Sequence, residues 1–270
     1  MRQSEVFPEY RKQSELVQKI FNLYQKRYAE DSIDSLCELR GYTSVEIKNL
    51  LADLKVGIGE LSPIDLEDFD KYELNQTGIL SQKGNIILNN RYIIPVDNID
   101  GTINTLIGYY PDVRKYITLP VPFFSKECMF FNFRQAYELS WKEYNGIVFL
   151  VEGIFDCLSL RAIGLPALAT MGSNVGDVKC ELLKLFKKVI GIPDDDAVGR
   201  KSLNRYSKKG WKVPYNATLI KFVGGELNMG GTLLHCKDID NFVSWYEPED
   251  VREILLSFAD SKEEIDELIL

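Results

Sequence analysis

Two short acidic stretches carry the side chains best suited to chemistry. In FLVEGIFDCLSL, Glu152 closes an apolar run that begins at Ile147, and Asp156 begins what reads as a helix. In VIGIPDDDAVGR, a second apolar run ends at Ile192 and presents Asp194, Asp195 and Asp196. A carboxylate beside a core is costly unless something neutralises it, and a bound cation is one way to do so. Asp194 and Asp196 are two residues apart, so an extended turn points both one way and Asp195 the other. An all-oxygen set of this kind suits Mg²⁺ or Mn²⁺ rather than zinc. Asp238 and Asp240 in HCKDIDNF form a third acidic pair that could border the same cleft. Taken singly, any of these aspartates is better explained as a helix cap or a solvated turn residue; two acidic clusters at two strand ends are less easily dismissed.

The elements around them decide whether they can meet. From Ile147 onward apolar runs alternate with helical patterns: IVFLV, DCLSLRAIG, PALATMG, DVKCELLKLFKK, VIGIP, AVGRKSLNRYSKKG and ATLIKFV. Strands alternating with helices imply parallel pairing and right-handed crossovers. In such sheets ligands bind beyond the carboxyl ends of the strands, where Glu152 and Asp194 both fall. If their two strands are neighbours, the carboxylates face one cleft.

The first half reads differently. Leu16, Val17, Ile20, Tyr24 and Tyr28 have helical spacing, and a short helix ends near Gly41. Thr43 and Glu46 form a capping-box pattern that opens the next helix, with Gly57 as its expected stop. Turn signals stand at Ser62-Pro63, Thr77-Gly78 and Lys83-Gly84. NIILNNRYIIPVDNIDGTINTLIGYY reads as two or three strands with a hairpin turn near Asp100-Gly101. The tail after Asp238 reads as helical, with Trp245, Val251, Leu255 and Phe258 among its apolar contacts.

Bulk properties narrow the classes. The 270 residues are 45% hydrophobic, enough for one large domain or two small ones. A net charge of -8 argues against a general basic coat for nucleic acid but not against one local basic groove. The 5 cysteines are scattered and His235 is the single histidine, so no zinc ribbon is expected. Scattered thiols, no apolar leader in MRQSEVFPEY and no long apolar run lead us to expect a cytoplasmic protein with no membrane span.

The strand-Glu152-Gly153-Ile154-Phe155-Asp156 element, followed by Asp194-x-Asp196-x-x-Gly199-Arg200, resembles a Toprim domain, and GLPALATMGSNVG resembles that family's intervening turn. Upstream, CELRGYTSVEIKNLLADLKVG, RYIIPVDNIDGTINTLIGYY and RKYITLPVPFFSKECMFFNFRQA resemble, in order, segments of the bacterial DnaG-type DNA primases, and KDID resembles a later one. The resemblance runs from about Leu36 to Asp240. The chain differs in lacking a zinc ribbon, in its short tail, in Tyr109 and Tyr110 where the family often has an arginine, and in Asp195 where a glycine is common.

The resemblance implies an α/β fold. A parallel Toprim sheet flanked by helices (146–225) would follow a mixed α+β N-terminal subdomain (1–145) and precede a short helical segment (226–270). It implies a compact, phage-type primase that makes short RNA on single-stranded DNA by nucleotidyl transfer. Glu152, Asp194 and Asp196 would be metal ligands, supported by Asp156 and Asp238, holding two or more Mg²⁺ or Mn²⁺ ions and no zinc. Lys115 and Lys126 match the family's basic positions, and Arg91 and Arg114 are further candidates. The basic helix carrying Arg200 and Lys201 could track a phosphate backbone. Template DNA, NTPs and a replicative helicase would be the partners. The alternatives are a Toprim nuclease or a non-catalytic single-strand-binding module. The phenylalanines at 123, 124, 130, 131 and 133 offer either a base-stacking surface or core packing, with packing the expected use for most.

Overall fold

The computed structural model describes residues 8–113, 115–120, 128–172, 175–192, 217–219, 226–229, 232–235 and 239–260. The chain divides into two compact units, Met1–Phe124 and Ser125–Leu270.

In the first unit, helix α1 (Pro8–Gln25) buries Leu16, Val17, Ile20, Phe21 and Tyr24 on one face. It is tied to strand β3 (Ile103–Tyr110), where Ser14 Oγ donates to Ile103 O at 2.6 Å. Helix α2 (Ser32–Arg40) ends on Gly41 at φ 73, and the Tyr42 amide closes back on Cys37 O at 2.8 Å.

Helix α3 (Val45–Asp53) corrects two expectations. Its cap is Ser44, whose oxygen accepts from the Ile47 amide at 3.3 Å, and not Thr43. Either hydroxyl can cap, and the backbone selects the one three residues before a free amide. Its end is not Gly57 either, because the chain turns at Lys55 (φ 54). Gly57 opens strand β1 (Gly57–Gly59), where a Cβ would collide with the Tyr28 ring.

Strands β1, β2 (Arg91–Asp97), β3 and β4 (Lys115–Thr118) form an antiparallel sheet in chain order, with helix α4 (Lys71–Gln76) falling between β1 and β2 in sequence. The expected hairpin joins β2 to β3. Asn98 N bonds Thr102 O at 2.8 Å, Gly101 sits at φ 82, and Asp100 Oδ1 accepts from the Thr102 amide and hydroxyl.

In the second unit, strands β5 (Ile147–Val151), β6 (Ala167–Ala169), β7 (Lys188–Ile192) and β8 (Ala217–Leu219) pair in parallel in the order β6-β5-β7-β8. β5 and β7 are neighbours, so the condition set by the sequence is met. An almost continuous apolar strand suits this central place because helices cover both faces of a parallel sheet. Helix α5 (Phe133–Glu143) precedes β5, α6 (Ile154–Ala162) follows it, and α7 (Asp177–Leu183) precedes β7. α6 begins at Ile154, before Asp156, because Gly153 takes the N-cap position. Strands β9 (Glu226–Met229) and β10 (Thr232–His235) pair antiparallel, so the segment 226–270 is not helical from its start as expected: two short runs flanking Gly230-Gly231 favour a hairpin over a helix.

Helices α8 (Ile239–Trp245) and α9 (Pro248–Asp260) bear out the helical reading of the tail. α9 buries Val251 and Leu255, and Arg252 donates twice to Ile163 O, at 3.0 and 2.7 Å. Trp245 departs from the expectation and stays 60% exposed. Phe130, Phe131 and Phe133 are buried, and Phe133 meets Phe186 edge-on at 5.8 Å between ring centres. Those three rings therefore pack the core rather than stack bases. Phe123 and Phe124 lie outside the described residues.

Cys157 is fully buried in α6, with Sγ bonded to Ala167 O at 3.3 Å. Burial pushes its thiol up to about 12. The fold thus favours the protonated thiol, a contribution complete below the ordinary thiol range and lost as pH rises toward about 12. Cys157 is expected to resist alkylation in native protein near pH 8 while the half-buried Cys128 reacts, as read by mass spectrometry of the labelled peptides.

Candidate active site

Glu152 is the first residue beyond β5. Val151 and Ile192, the last residues of β5 and β7, are register partners, so both chains leave the sheet in one row. Pro193 and Asp194 follow Ile192 directly. Glu152 is half-buried, and its Oε1 is buried. Its main-chain carbonyl accepts from the Met171 amide at 3.2 Å, and the Thr170 amide bonds Val151 O at 2.9 Å. The turn after β6 is thereby closed against the end of β5.

Gly153 explains the spacing from Glu152 to Asp156. A Cβ there would collide with Oδ2 of Asp156, so the half-buried aspartate folds back over the glycine in the first turn of α6. That brings two oxygen-rich side chains to the start of one helix, whose N-terminus also favours negative charge.

Of the expected ligands, Glu152 and Asp156 are described, whereas Asp194, Asp196 and Asp238 lie outside the described residues, as does Asp195. Among the described residues no three His, Cys, Asp or Glu side chains cluster as a metal site. Asp240 is engaged elsewhere. It is buried in α8, and its carboxylate accepts from Ser159 Oγ on α6, so it serves the packing of these two helices.

Of the expected basic residues, Lys126, Arg114, Arg200 and Lys201 lie outside the described residues. Arg91 and Lys115 belong to the first unit and share a row there. Tyr110 of β3 pairs with Lys115 of β4, and the register of β2 against β3 brings Arg91 to Tyr110 on the other side. The Arg91 guanidinium lies 5.3 Å from the Tyr110 ring centre, and its Nε donates to Ile87 O at 3.3 Å. Gly108 makes room for the arginine stem, since a Cβ there would stand 2.7 Å from Arg91 Cδ. Lys115 is exposed, and Tyr116 beside it is 43% exposed with its ring 5.0 Å from that of Tyr109. Two cations flanking an aromatic can meet both the phosphates and the bases of a strand. The residue that sequence reasoning missed is Lys179. A lysine in a charged helical segment reads as solvated, yet this one is fully buried.

A family model described as Toprim-like matches residues 149–222, which include Glu152, Asp156, Asp194 and Asp196. No curated protein matches the chain. Among solved structures, a DnaG primase catalytic domain bound to single-stranded DNA is similar at 18% identity and TM-score 0.73, over 93% of this chain and 83% of that one. The RNA polymerase domain of Mycobacterium tuberculosis DnaG is similar at 16% identity and TM-score 0.71, over 92% and 85%. The E. coli primase catalytic core is similar at 19% identity and TM-score 0.70, over 90% and 79%. The described helices include none long and apolar enough to cross a membrane. The parallel strand order, the antiparallel sheet before it and these likenesses agree: the chain has the fold of a DnaG-type primase catalytic core, with a Toprim-like segment at residues 149–222.

Proposed function

We propose that this protein is a DNA-dependent RNA primase that joins NTPs on a single-stranded DNA template. The observation that carries the reading is the shared exit of β5 and β7, with Glu152 after one and Asp194 and Asp196 after the other. Glu152 and Asp156 fit a divalent cation in kind, being hard oxygen donors at one helix start, with Glu152 Oε1 shielded from water. Asp194, Asp196 and Asp238 would complete the set for two or more Mg²⁺ or Mn²⁺ ions. Held there, such ions would supply activation of an attacking 3′-hydroxyl and charge stabilisation for a leaving pyrophosphate. The role of this chain's carboxylates is to fix where those charges sit. Lys115 and Arg91 in the first unit, and Lys126, Arg200 and Lys201 in the second, are the residues we propose to meet phosphates of the NTP or of the template. Phosphate contacts of this kind position a strand without reading its sequence.

Incubation with single-stranded DNA, labelled NTPs and Mg²⁺ or Mn²⁺ tests the reading. Short RNA products support it. Shortened DNA would indicate a nuclease, and a gel shift without product would indicate a binding module.

Gly153→Ala probes the Asp156 arrangement separately from the fold. The backbone at Gly153 (φ -89, ψ 151) suits alanine, and the obstructing atom is the end of a flexible side chain. Stability is expected to change by about 1 kcal/mol or less. Primer synthesis is expected to fall about tenfold to a hundredfold, because a small displacement at a reacting centre costs that much. Parallel melting curves and product assays check both halves.

A further inference from the structure

Lys179 on α7 is 0% exposed. Its Nζ donates to Thr170 O at 2.6 Å and lies 5.2 Å from the centre of the Phe130 ring. Burying an ammonium is costly, so a site that retains one gains something from its bonds. The peptide it grips is the one that serves Glu152. The Thr170 carbonyl accepts from Lys179, and the Met171 amide of the same peptide unit donates to Glu152 O at 3.2 Å.

That peptide leads into a strained turn. Met171 has φ 57, a conformation that disfavours any residue with a side chain, and Gly172 follows at φ 154. Such backbone persists where its surroundings over-determine it. Here the Thr170 amide bonds Val151 O, the Met171 amide bonds Glu152 O, and the Lys179 ammonium holds the carbonyl between them. The bond from Lys179 Nζ polarises the peptide whose amide reaches Glu152.

We propose that Lys179 is a positioning residue: it locks the Thr170–Gly172 turn against the main chain of Glu152 and so orients that glutamate for a divalent cation. This rests on the reading of Glu152 as a metal ligand. Lys179 acts through one peptide unit, so it governs metal affinity rather than contacting the reacting atoms.

Mn²⁺ binding to the full chain, followed by paramagnetic resonance of the free ion, tests this beside thermal melting. Wild type, Lys179→Met, Lys179→Arg and Glu152→Gln are compared. Lys179→Met is expected to weaken Mn²⁺ binding about tenfold, a loss typical when a partner behind a metal ligand is removed. Lys179→Arg keeps a charged donor and is expected to recover most of the affinity. Lower melting temperatures with Mn²⁺ affinity unchanged in folded Lys179→Met would overturn the proposal, leaving the lysine a packing role. Wild-type binding that Glu152→Gln does not reduce would overturn the metal reading and this proposal with it. Should Lys179→Met fail to fold, Mg²⁺ titration of isotope-labelled wild type decides. The Met171 amide and Lys179 ammonium signals should then shift along the same saturation curve as the Glu152 amide. Static Met171 and Lys179 signals while Glu152 shifts would refute the coupling.

Discussion

Glu152→Gln is expected to reduce primer synthesis at least ~100-fold, at or beyond the upper end of the loss from removing a partner behind a metal ligand. The substitution keeps the size of the side chain and removes its charge. Glutamine offers a cation one neutral oxygen in place of a carboxylate, so the loss falls on metal binding and on the chemistry that depends on it. The fold should survive. The core at this end of the sheet is made by Val148, Phe149, Leu150 and Val151, and the main-chain bond from Met171 to Glu152 O does not involve the altered side chain. Circular dichroism and a melting curve close to wild type, together with loss of labelled RNA, are the expected pair of results. Full activity in the folded variant would remove Glu152 from the metal site.

Phe149→Ala is expected to have the largest effect on stability, about 3–5 kcal/mol. Phe149 is 0% exposed, in the middle of the central strand, with register partners Ala167 and Ile190 on its two sides. Truncating the ring removes its buried apolar surface and leaves a cavity that a strand held on both edges cannot close. A domain is typically stable by about 5–15 kcal/mol, so this one change removes a large share. Denaturant unfolding should show a lower midpoint with an unchanged slope. A shift under about 1 kcal/mol would mean that the sheet collapses around the gap more readily than its two-sided pairing implies.

The parallel sheet was legible because its signal is dense and local. Uninterrupted apolar runs such as IVFLV and VIGIP, separated by helical stretches, admit few arrangements, and the neighbouring of β5 and β7 follows one of them. The β2–β3 hairpin was legible for the same reason, since Asp100-Gly101 supplies both the side-chain acceptor and the positive φ that its turn uses. Capping was legible only to within a residue, because Thr43 and Ser44 both carry a suitable hydroxyl. Gly57 looked like a helix stop, yet its requirement comes from the ring of Tyr28, far away in sequence. Long-range packing of that kind leaves no periodic mark.

The site was partly legible. Glu152, Gly153 and Asp156 stand together in sequence, and the structure supplies the reason for their spacing, which is the lack of a Cβ beneath the aspartate. Arg91 and Lys115 were candidates for separate reasons, and strand register puts them either side of Tyr110. Asp240 reads like its neighbour Asp238 in the chain, but a partner on α6 gives it a packing role. Lys179 was illegible because its burial depends on Thr170 and Phe130, which only the fold brings to it.

The most direct test of the account is to locate the cation. Crystals grown with single-stranded DNA and soaked in Mn²⁺ give an anomalous map that marks the metal independently of any assumption about ligands. A peak coordinated by a carboxylate oxygen of Glu152 at the carboxyl end of β5 is the expected result. Mn²⁺ peaks found only elsewhere, at a concentration that supports primer synthesis, would contradict it.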